Sequence, residues 1–209
     1  MTKIYLISPE KFILKDFSKQ LVDVLKTGVV PVFQLRVKNY QLQEHLKVAR
    51  ELKKICNDYS CKFIVNDSFE IANEVMADGV HLGAEDGAIK RARKGSDKNF
   101  IIGASCYDSR DRAILSIESG ADYISFGTFF KSNTKNSVGK PNIEIINWAH
   151  EMTDVSVVAI GGIDEKNCKL FVDAKTDFIA VISNVWSNEK YRPEIAVQRL
   201  NEEIEKNLF

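Results

Sequence analysis

The stretch FIVNDSFE (residues 63–70) combines a buried strand, a polar tip and the start of a helix. Its first three residues are apolar and β-prone, which is typical of a strand covered on both faces. Asn66 and Asp67 follow at once, either as a cap for the next helix or as a strand end that presents polar groups to a ligand. This strand-then-helix unit recurs along the chain, and its repetition predicts the fold.

Seven further segments are similarly rich in Val, Ile, Phe and Tyr. Most are apolar on consecutive positions, as expected for parallel strands that are buried on both faces. Together with KFIVN (62–66), the predicted strands are KIYLI (3–7), VVPVFQLR (29–36), GVHLG (79–83), FIIGAS (100–105), YISFG (123–127), VSVVAIG (155–161) and DFIAVIS (177–183).

Helical patterns occupy the segments between these strands. Apolar residues recur at three- or four-residue steps in residues 42–56 and again in residues 196–208, which indicates amphipathic helices. Asp108 and Asp164 precede two further apolar stripes and are predicted helix starts. Eight strand-helix units without a linker favour an α/β fold, a single (β/α)8 TIM barrel domain that spans residues 1–209.

Composition narrows the class of protein. The chain has 209 residues, with 29 Lys plus Arg against 29 Asp plus Glu, so its formal net charge is zero. A nucleic-acid-binding or membrane-surface protein would carry a basic surplus, so neither partner is predicted. No apolar run approaches the ~18 residues that span a bilayer, and no signal peptide is predicted. Four scattered cysteines without a C-x-x-C pair predict reduced thiols in a cytoplasmic protein, and a homo-oligomer stays open.

Polar residues stand at most of the predicted strand ends, where the active site of a (β/α)8 barrel lies. They are Gln34, Arg36 and Lys38 after strand 2, Asn66 and Asp67 after strand 3, Glu85 and Asp86 after strand 4, Ser105 at strand 5, Lys131, Ser132, Thr134 and Lys135 after strand 6, Gly161 and Gly162 after strand 7, and Ser183 and Asn184 after strand 8.

Each of these groups, taken alone, has an ordinary structural explanation. Arg36 and Lys38 are equally typical of a solvated rim, and Asp67 and Asp86 of helix caps. Together, however, the cations, the two carboxylates and a phosphate-binding Gly-Gly pair would face one cavity at the carboxyl ends of the strands. The carboxylates would repel each other unless a cation lay between them, and Mg²⁺ fits because it accepts carboxylate, water and phosphate oxygens. The residues thus indicate transfer between two phosphate-bearing substrates.

Eight motifs resemble the thiamine phosphate synthase family in order and spacing. They are QLRVK (34–38), VND (65–67), DGVHLGAED (78–86), IIGAS (101–105), GADYISFG (120–127), SNTK (132–135), AIGGI (159–163) and AVIS (180–183). The resemblance implies a (β/α)8 barrel that joins hydroxymethylpyrimidine diphosphate to hydroxyethylthiazole phosphate and releases pyrophosphate. His81, inside strand 4, is interpreted as a hydrogen-bonded barrel histidine rather than a catalytic one.

The resemblance also implies a role for each matching residue. It implies contacts to the pyrimidine diphosphate from Gln34, Arg36, Lys38, Asn66, Ser105 and Lys135, of which Arg36, Lys38, Ser105 and Lys135 take part in catalysis. It implies Mg²⁺ ligands at Asp67 and Asp86, and contacts to the thiazole phosphate from Ser132, Thr134, Gly162, Ile182 and Ser183.

The chain departs from the family at several positions. Val37, Ala84 and Lys131-Ser132 stand where the family usually has Glu, Gln and Pro-Thr, and Tyr107 stands where a histidine is common. Two other functions therefore stay open. One is that of a thiazole tautomerase-like relative, which tends to lose the metal and diphosphate residues and uses a histidine near strand 5. The other is a catalytically silent protein that binds thiamine precursors. The retained carboxylates and cations favour the synthase.

Overall fold

Eight parallel strands form a closed barrel in the computed structural model, which describes residues 1–83, 87–130 and 141–208. Each strand pairs with its sequence neighbours, and the last strand pairs with the first. The predicted (β/α)8 fold class is therefore confirmed. The strands are β1 (Lys3–Ile7), β2 (Val32–Leu35), β3 (Lys62–Asn66), β4 (Gly79–Gly83), β5 (Ile101–Tyr107), β6 (Tyr123–Phe126), β7 (Ser156–Ile160) and β8 (Phe178–Val181).

Helices follow the strands and form the outer layer. The described residues contain α1 (Leu14–Leu25), α2 (Leu42–Asp58), α3 (Phe69–Glu74), α4 (Ala88–Gly95), α5 (Arg110–Glu118), α6 (Glu144–Met152), α7 (Lys169–Asp173), α8 (Ser183–Trp186) and α9 (Pro193–Lys206). The two long apolar stripes predicted from the sequence correspond to α2 and α9. Most of each stripe is buried, but Leu42 at the start of α2 is exposed. In the part of the chain that is described, no helix is long and apolar enough to cross a bilayer.

Some element boundaries differ from the prediction. β2 begins only at Val32, because Pro31 has no N–H to donate to a neighbouring strand; its carbonyl accepts from the Lys62 N–H at 2.8 Å. β5 continues to Tyr107, with a register irregularity between Ser105 and Tyr107. β8 ends at Val181, and Ser183 begins α8 instead of closing the strand.

Serines, rather than the neighbouring aspartates, cap two of the helices. The Ser68 hydroxyl accepts from the Ile71 N–H at the start of α3, and the Ser109 hydroxyl accepts from the Arg112 N–H at the start of α5. The prediction that Asp108 starts α5 is therefore wrong by one residue. The capping alternative for Asp67 is also wrong, so its carboxylate is available for another role.

Two apolar layers make up the core. The larger layer lies between the strands and the helices and includes Phe33, Phe63 and Leu200, all fully buried. The smaller layer fills the barrel interior and includes Tyr5 and Tyr123. Strands covered on both sides need apolar residues on consecutive positions, which explains their sequence pattern. All four cysteines are free and buried, as predicted for reduced thiols.

An aspartate precedes three of the four even-numbered strands at the amino-terminal end of the barrel. Asp78, Asp122 and Asp177 stand directly before β4, β6 and β8. Each carboxylate accepts from the second N–H of the preceding strand, at 2.9, 2.7 and 2.8 Å respectively. These contacts hold neighbouring strands in register at the end of a barrel that serves stability rather than catalysis.

We expect Asp78→Asn to destabilise the barrel by about 2 kcal/mol, because it leaves the Lys53 ammonium poorly paired in a largely buried site. Lys53 Nζ lies 2.6 Å from Asp78 Oδ2, and their side chains are only 14% and 19% exposed. Urea denaturation of both proteins measures the difference. Asp173→Asn, which breaks an exposed pair with Lys169, is the matched control and should cost less than about 0.5 kcal/mol.

The Asp78 contribution should also depend on pH. Burial raises the pKa of this carboxyl, but hydrogen bonds from Lys53, the Phe63 N–H and Lys62 outweigh burial and lower it overall. A lowered pKa in the folded state means that the stabilisation is present above the ordinary Asp value of about 3.9 and is lost as the pH falls through the folded value. The difference between wild type and Asp78→Asn should therefore shrink in acid. A difference that stays constant down to the lowest pH at which both proteins fold would contradict this account.

Candidate active site

A cavity of about 270 Å³ opens at the carboxyl ends of the strands. This is where a (β/α)8 barrel carries its active site, because all eight strand ends and their loops converge there. Seven of the residues to which the family resemblance gives a role line this cavity, namely Gln34, Arg36, Asn66, Ser105, Gly162, Ile182 and Ser183, and so do Gly161 and Asn184 from the list of strand-end residues. The structure thus brings residues from β2, β3, β5, β7 and β8 together around one space.

Arg36 lies just past the end of β2, where Ser8 holds its backbone. The Arg36 N–H donates to the Ser8 hydroxyl at 2.8 Å, and that hydroxyl is 3.3 Å from the Arg36 carbonyl. The guanidinium is largely buried, with its side chain 11% exposed. A buried guanidinium requires anionic or carbonyl partners, since its hydration is lost.

Glu10, which follows β1, bridges the two cations after β2. Its Oε1 accepts from Arg36 Nη1, and the same oxygen lies 2.8 Å from Lys38 Nζ. Hydrogen bonds from Lys38 and Arg36 lower the pKa of Glu10, so its carboxylate stays ionised at neutral pH. Sequence reasoning missed Glu10, although the strand-end rule applied to β1 would have found it. Lys38 itself is half exposed and lies outside the cavity wall.

Asp67 projects from the end of β3 next to Asn66. Its backbone has a φ of 64°, and its N–H donates to the His81 carbonyl at 2.8 Å. Asp and Asn adopt this left-handed conformation more readily than most residues. The carboxylate is exposed and pairs with no side chain among the described residues. A hard, unpaired oxygen donor of this kind suits Mg²⁺.

Several predicted site residues lie outside the described part of the chain. They are Asp86, Ser132, Thr134 and Lys135, together with Ala84 and Lys131 among the positions that depart from the family pattern. Within residues 1–83, 87–130 and 141–208, no group of three His, Cys, Asp or Glu side chains is placed to hold a metal ion. Of the two predicted metal ligands, the structure therefore describes only Asp67.

His81 is a hydrogen-bonded barrel histidine, as predicted. Its Nδ1 lies 2.9 Å from the Tyr123 hydroxyl, and its Nε2 lies 2.8 Å from Ser105 Oγ. The Tyr123 hydroxyl is 2.7 Å from the Tyr5 hydroxyl, which accepts from Gln34 Nε2 at 2.9 Å. Burial raises the pKa of both tyrosines above the ordinary range. Sequence reasoning missed both tyrosines, because each reads simply as a core aromatic residue.

Backbone groups and small side chains form the opposite wall. Gly161 and Gly162 both have positive φ, of 110° and 65°. A side chain at Gly161 would overlap Thr128, which also lines the cavity. Asn184 also lines this space, and its side-chain Nδ2 is buried without a hydrogen-bond partner among the described residues. This wall therefore presents backbone and amide groups, which bind anions without adding a charge.

Known proteins resemble this chain over nearly its whole length. The family model described as thiamine monophosphate synthase matches residues 4–185. The thiamine-phosphate synthase of Erythrobacter litoralis is 40% identical over 97% of this chain and 95% of that protein. The one from Pelagibacter ubique is 37% identical over 94% and 95%.

A solved structure agrees with the sequence matches. The thiamine phosphate pyrophosphorylase from Pyrococcus furiosus superposes with a TM-score of 0.84 at 32% identity, covering 99% of this chain and 97% of that one. The sequence matches and the structural match therefore point to the same family of enzymes. The chain is therefore a transferase that belongs to the thiamine monophosphate synthase family.

Proposed function

We propose that this protein is a Mg²⁺-dependent thiamine phosphate synthase that transfers hydroxymethylpyrimidine from its diphosphate to the ring nitrogen of hydroxyethylthiazole phosphate. The observation that carries the proposal is a charge count at the cavity. One carboxylate oxygen of Glu10 serves both Arg36 and Lys38, so the group keeps a net positive charge. A diphosphate supplies several anionic oxygens at once and can match both cations.

The pyrimidine diphosphate would occupy the β2–β3–β5 side of the cavity. Gln34 and Ser105, which lie within β2 and β5, line the part where the pyrimidine ring would lie, while Arg36 and Asn66 line the cavity at or just past the ends of β2 and β3. Lys38 stands just outside and would reach the terminal phosphate, joined by Lys135 from outside the described residues. The thiazole phosphate would lie against Gly162, Ile182 and Ser183, with Ser132 and Thr134 completing its site.

The residues present fit a magnesium ion on the diphosphate side. Asp67 supplies an unpaired carboxylate at the end of β3, and the proposed second ligand, Asp86, follows β4 in the sequence. Parallel β3 and β4 are adjacent, so ligands after them belong to the same edge of the barrel. When bound, Mg²⁺ would neutralise charge on the departing pyrophosphate.

The chemistry needs electrostatic stabilisation rather than a general base. The aminopyrimidine donates electrons to its methylene carbon, so the carbon–oxygen bond breaks ahead of the new carbon–nitrogen bond. The electron pair leaves with pyrophosphate, and Arg36 and Lys38 stabilise the charge where it develops. The thiazole nitrogen attacks with its lone pair and has no proton to lose. The proposal takes residues 1–209 as one domain in the cytoplasm, where buried thiols stay reduced.

The direct test mixes the purified protein with both phosphorylated substrates and follows thiamine phosphate and pyrophosphate, with Mg²⁺ and with EDTA. Mg²⁺-dependent formation of both products in equal amounts is expected. Isomerisation of a thiazole carboxylate phosphate without coupling would instead identify a tautomerase. Tight binding of either substrate without any reaction would identify a silent binding protein. Either of the last two results would refute the proposed function.

We expect Glu10→Gln to strengthen pyrophosphate binding by roughly threefold to tenfold, because the carboxylate competes with the diphosphate for Arg36 and Lys38. Calorimetric titration with pyrophosphate in the presence of Mg²⁺ measures the change. Glu74→Gln, which removes the carboxylate of an exposed pair with Arg50, is the matched control and should leave the affinity unchanged. Weaker binding by Glu10→Gln would show instead that Glu10 positions the cations.

A further inference from the structure

A continuous chain of hydrogen bonds crosses the barrel interior from one side of the cavity to the other. It runs from Gln34 through Tyr5, Tyr123 and His81 to Ser105, with heavy-atom distances of 2.9, 2.7, 2.9 and 2.8 Å. The five residues come from β2, β1, β6, β4 and β5. All five residues line the cavity, and both tyrosines are less than 10% exposed.

The Gln34 amide, oriented with Nε2 towards Tyr5, gives this chain a direction. Gln34 Nε2 donates to the Tyr5 hydroxyl, and the Tyr123 hydroxyl is the acceptor within reach of the Tyr5 proton among the described residues. Tyr123 then has its own proton left for His81 Nδ1. A proton on Nδ1 would leave one tyrosine hydrogen without an acceptor in that part of the chain. The imidazole therefore carries its hydrogen on Nε2 and donates it to Ser105 Oγ.

Two features of the barrel hold this direction in place. Burial raises the pKa of Tyr5 and Tyr123, so both keep the single proton on which this direction depends. Gly103, opposite Tyr123 in the β5–β6 ladder, leaves the space that the Tyr123 ring fills, since a side chain at Gly103 would overlap the ring. The tyrosine hydroxyl thereby reaches the middle of the barrel, within hydrogen-bond distance of both Tyr5 and His81.

We propose that Tyr5, Tyr123 and His81 are positioning residues that keep the Ser105 hydroxyl as a hydrogen-bond donor to the departing diphosphate. Because Ser105 Oγ accepts from His81 Nε2, its own proton points into the cavity towards an anionic acceptor. The same direction turns Gln34 Oε1 towards the cavity, where it accepts from the exocyclic amino group of the pyrimidine. This inference rests on the proposed function. It assigns Ser105 as a hydrogen-bond donor to the diphosphate and Gln34 as an acceptor for the pyrimidine.

The hydrogen position on His81 is the first test, and it needs no substrate and no measurement of activity. The chain has 3 histidines, so long-range ¹H–¹⁵N spectra of ¹⁵N-histidine-labelled protein at neutral pH resolve the tautomer of each ring. His81→Gln assigns the signals by their disappearance. We expect the Nε2–H tautomer for His81. A proton on Nδ1, or on both nitrogens, would overturn the proposal, even if Tyr123→Phe fails to fold.

A double-mutant cycle is the second test. We expect Tyr123→Phe to lower kcat by roughly tenfold with a KM change below about threefold, and Ser105→Ala to lower kcat by about 10²-fold. In the Ser105→Ala background, Tyr123→Phe should change kcat by less than about twofold, because it acts through the missing hydroxyl. Tyr59→Phe, at an exposed tyrosine after α2, is the matched control with unchanged kcat.

The outcomes separate this inference from the proposed function. Additive effects of Tyr123→Phe and Ser105→Ala on kcat would show that Tyr123 does not act through the Ser105 hydroxyl. That result would overturn the inference whichever tautomer His81 adopts. If the wild-type protein forms no thiamine phosphate while His81 carries the Nε2 hydrogen, the proposed function and the catalytic role of Ser105 fail together, but the direction of the hydrogen bonds stands. Synthase activity with the Nδ1 tautomer would refute this inference alone.

Discussion

Arg36→Ala should lower kcat/KM for thiamine phosphate formation by on the order of 10²-fold or more. Among the residues that the structure describes, its guanidinium is the most buried cation at the cavity, and the Ser8 hydroxyl holds its backbone in place. A donor already fixed in a site of low water content stabilises developing charge without first reorganising, so its loss acts mainly on the transition state. Steady-state kinetics with the pyrimidine diphosphate varied should therefore show a large fall in kcat.

Two matched variants separate charge from geometry at this position. Arg36→Lys keeps the charge but loses the planar fork that binds two phosphate oxygens, so it should recover only part of the activity. Arg50→Ala removes an exposed guanidinium on α2 that pairs with Glu74 and should keep wild-type rates. If Arg36→Ala kept more than about a third of the wild-type kcat/KM while folding normally, the diphosphate would have to bind elsewhere.

Asp67→Asn should reduce kcat by on the order of 10²-fold or more and should raise the Mg²⁺ concentration needed for half-maximal rate. Asparagine tests this position better than alanine does. The residue has a φ of 64°, which asparagine tolerates and alanine does not. The substitution therefore removes the negative charge while the end of β3 keeps its path.

Metal binding can be measured apart from turnover. Calorimetry of the Mg²⁺–pyrophosphate complex should show affinity for Asp67→Asn at least about tenfold weaker than for the wild type. Asp173→Asn, on the exposed face of α7, is the control and should bind as the wild type does. Unchanged Mg²⁺ dependence and unchanged pyrophosphate affinity in Asp67→Asn would remove this carboxylate from the proposed metal site.

Much of the fold could be predicted because the strand pattern is local. Consecutive apolar residues such as Phe63, Ile64 and Val65 mark a strand covered on both faces, and the eight repeats then leave barrel closure as the simplest way to bury every strand. The boundaries of the strands and helices were less predictable, since each depends on a single backbone or side-chain group. Pro31 shortens β2 because it lacks an N–H, and Ser109 rather than Asp108 caps α5.

Part of the candidate site was predictable for the same reason. Parallel strands end at one rim, so polar residues after different strands must lie near one another. That rule placed Gln34, Arg36 and Asn66 around one cavity. Applied to β1, the same rule would also have pointed to Glu10, but its contact with both Arg36 and Lys38 depends on the path of the loop after β1.

The alternation of strands and helices can be inferred from local sequence patterns, because those signals act within a few neighbouring positions, and the barrel and its polar rim follow from that alternation. Which polar groups meet inside the barrel, in contrast, depends on how the closed sheet brings distant strands together. Tyr5 and Tyr123 are 118 positions apart, and each looks like an ordinary core aromatic residue in the sequence. Their hydroxyls meet because closure of the sheet points alternate side chains of distant strands at one axis, where buried polar groups must pair with each other.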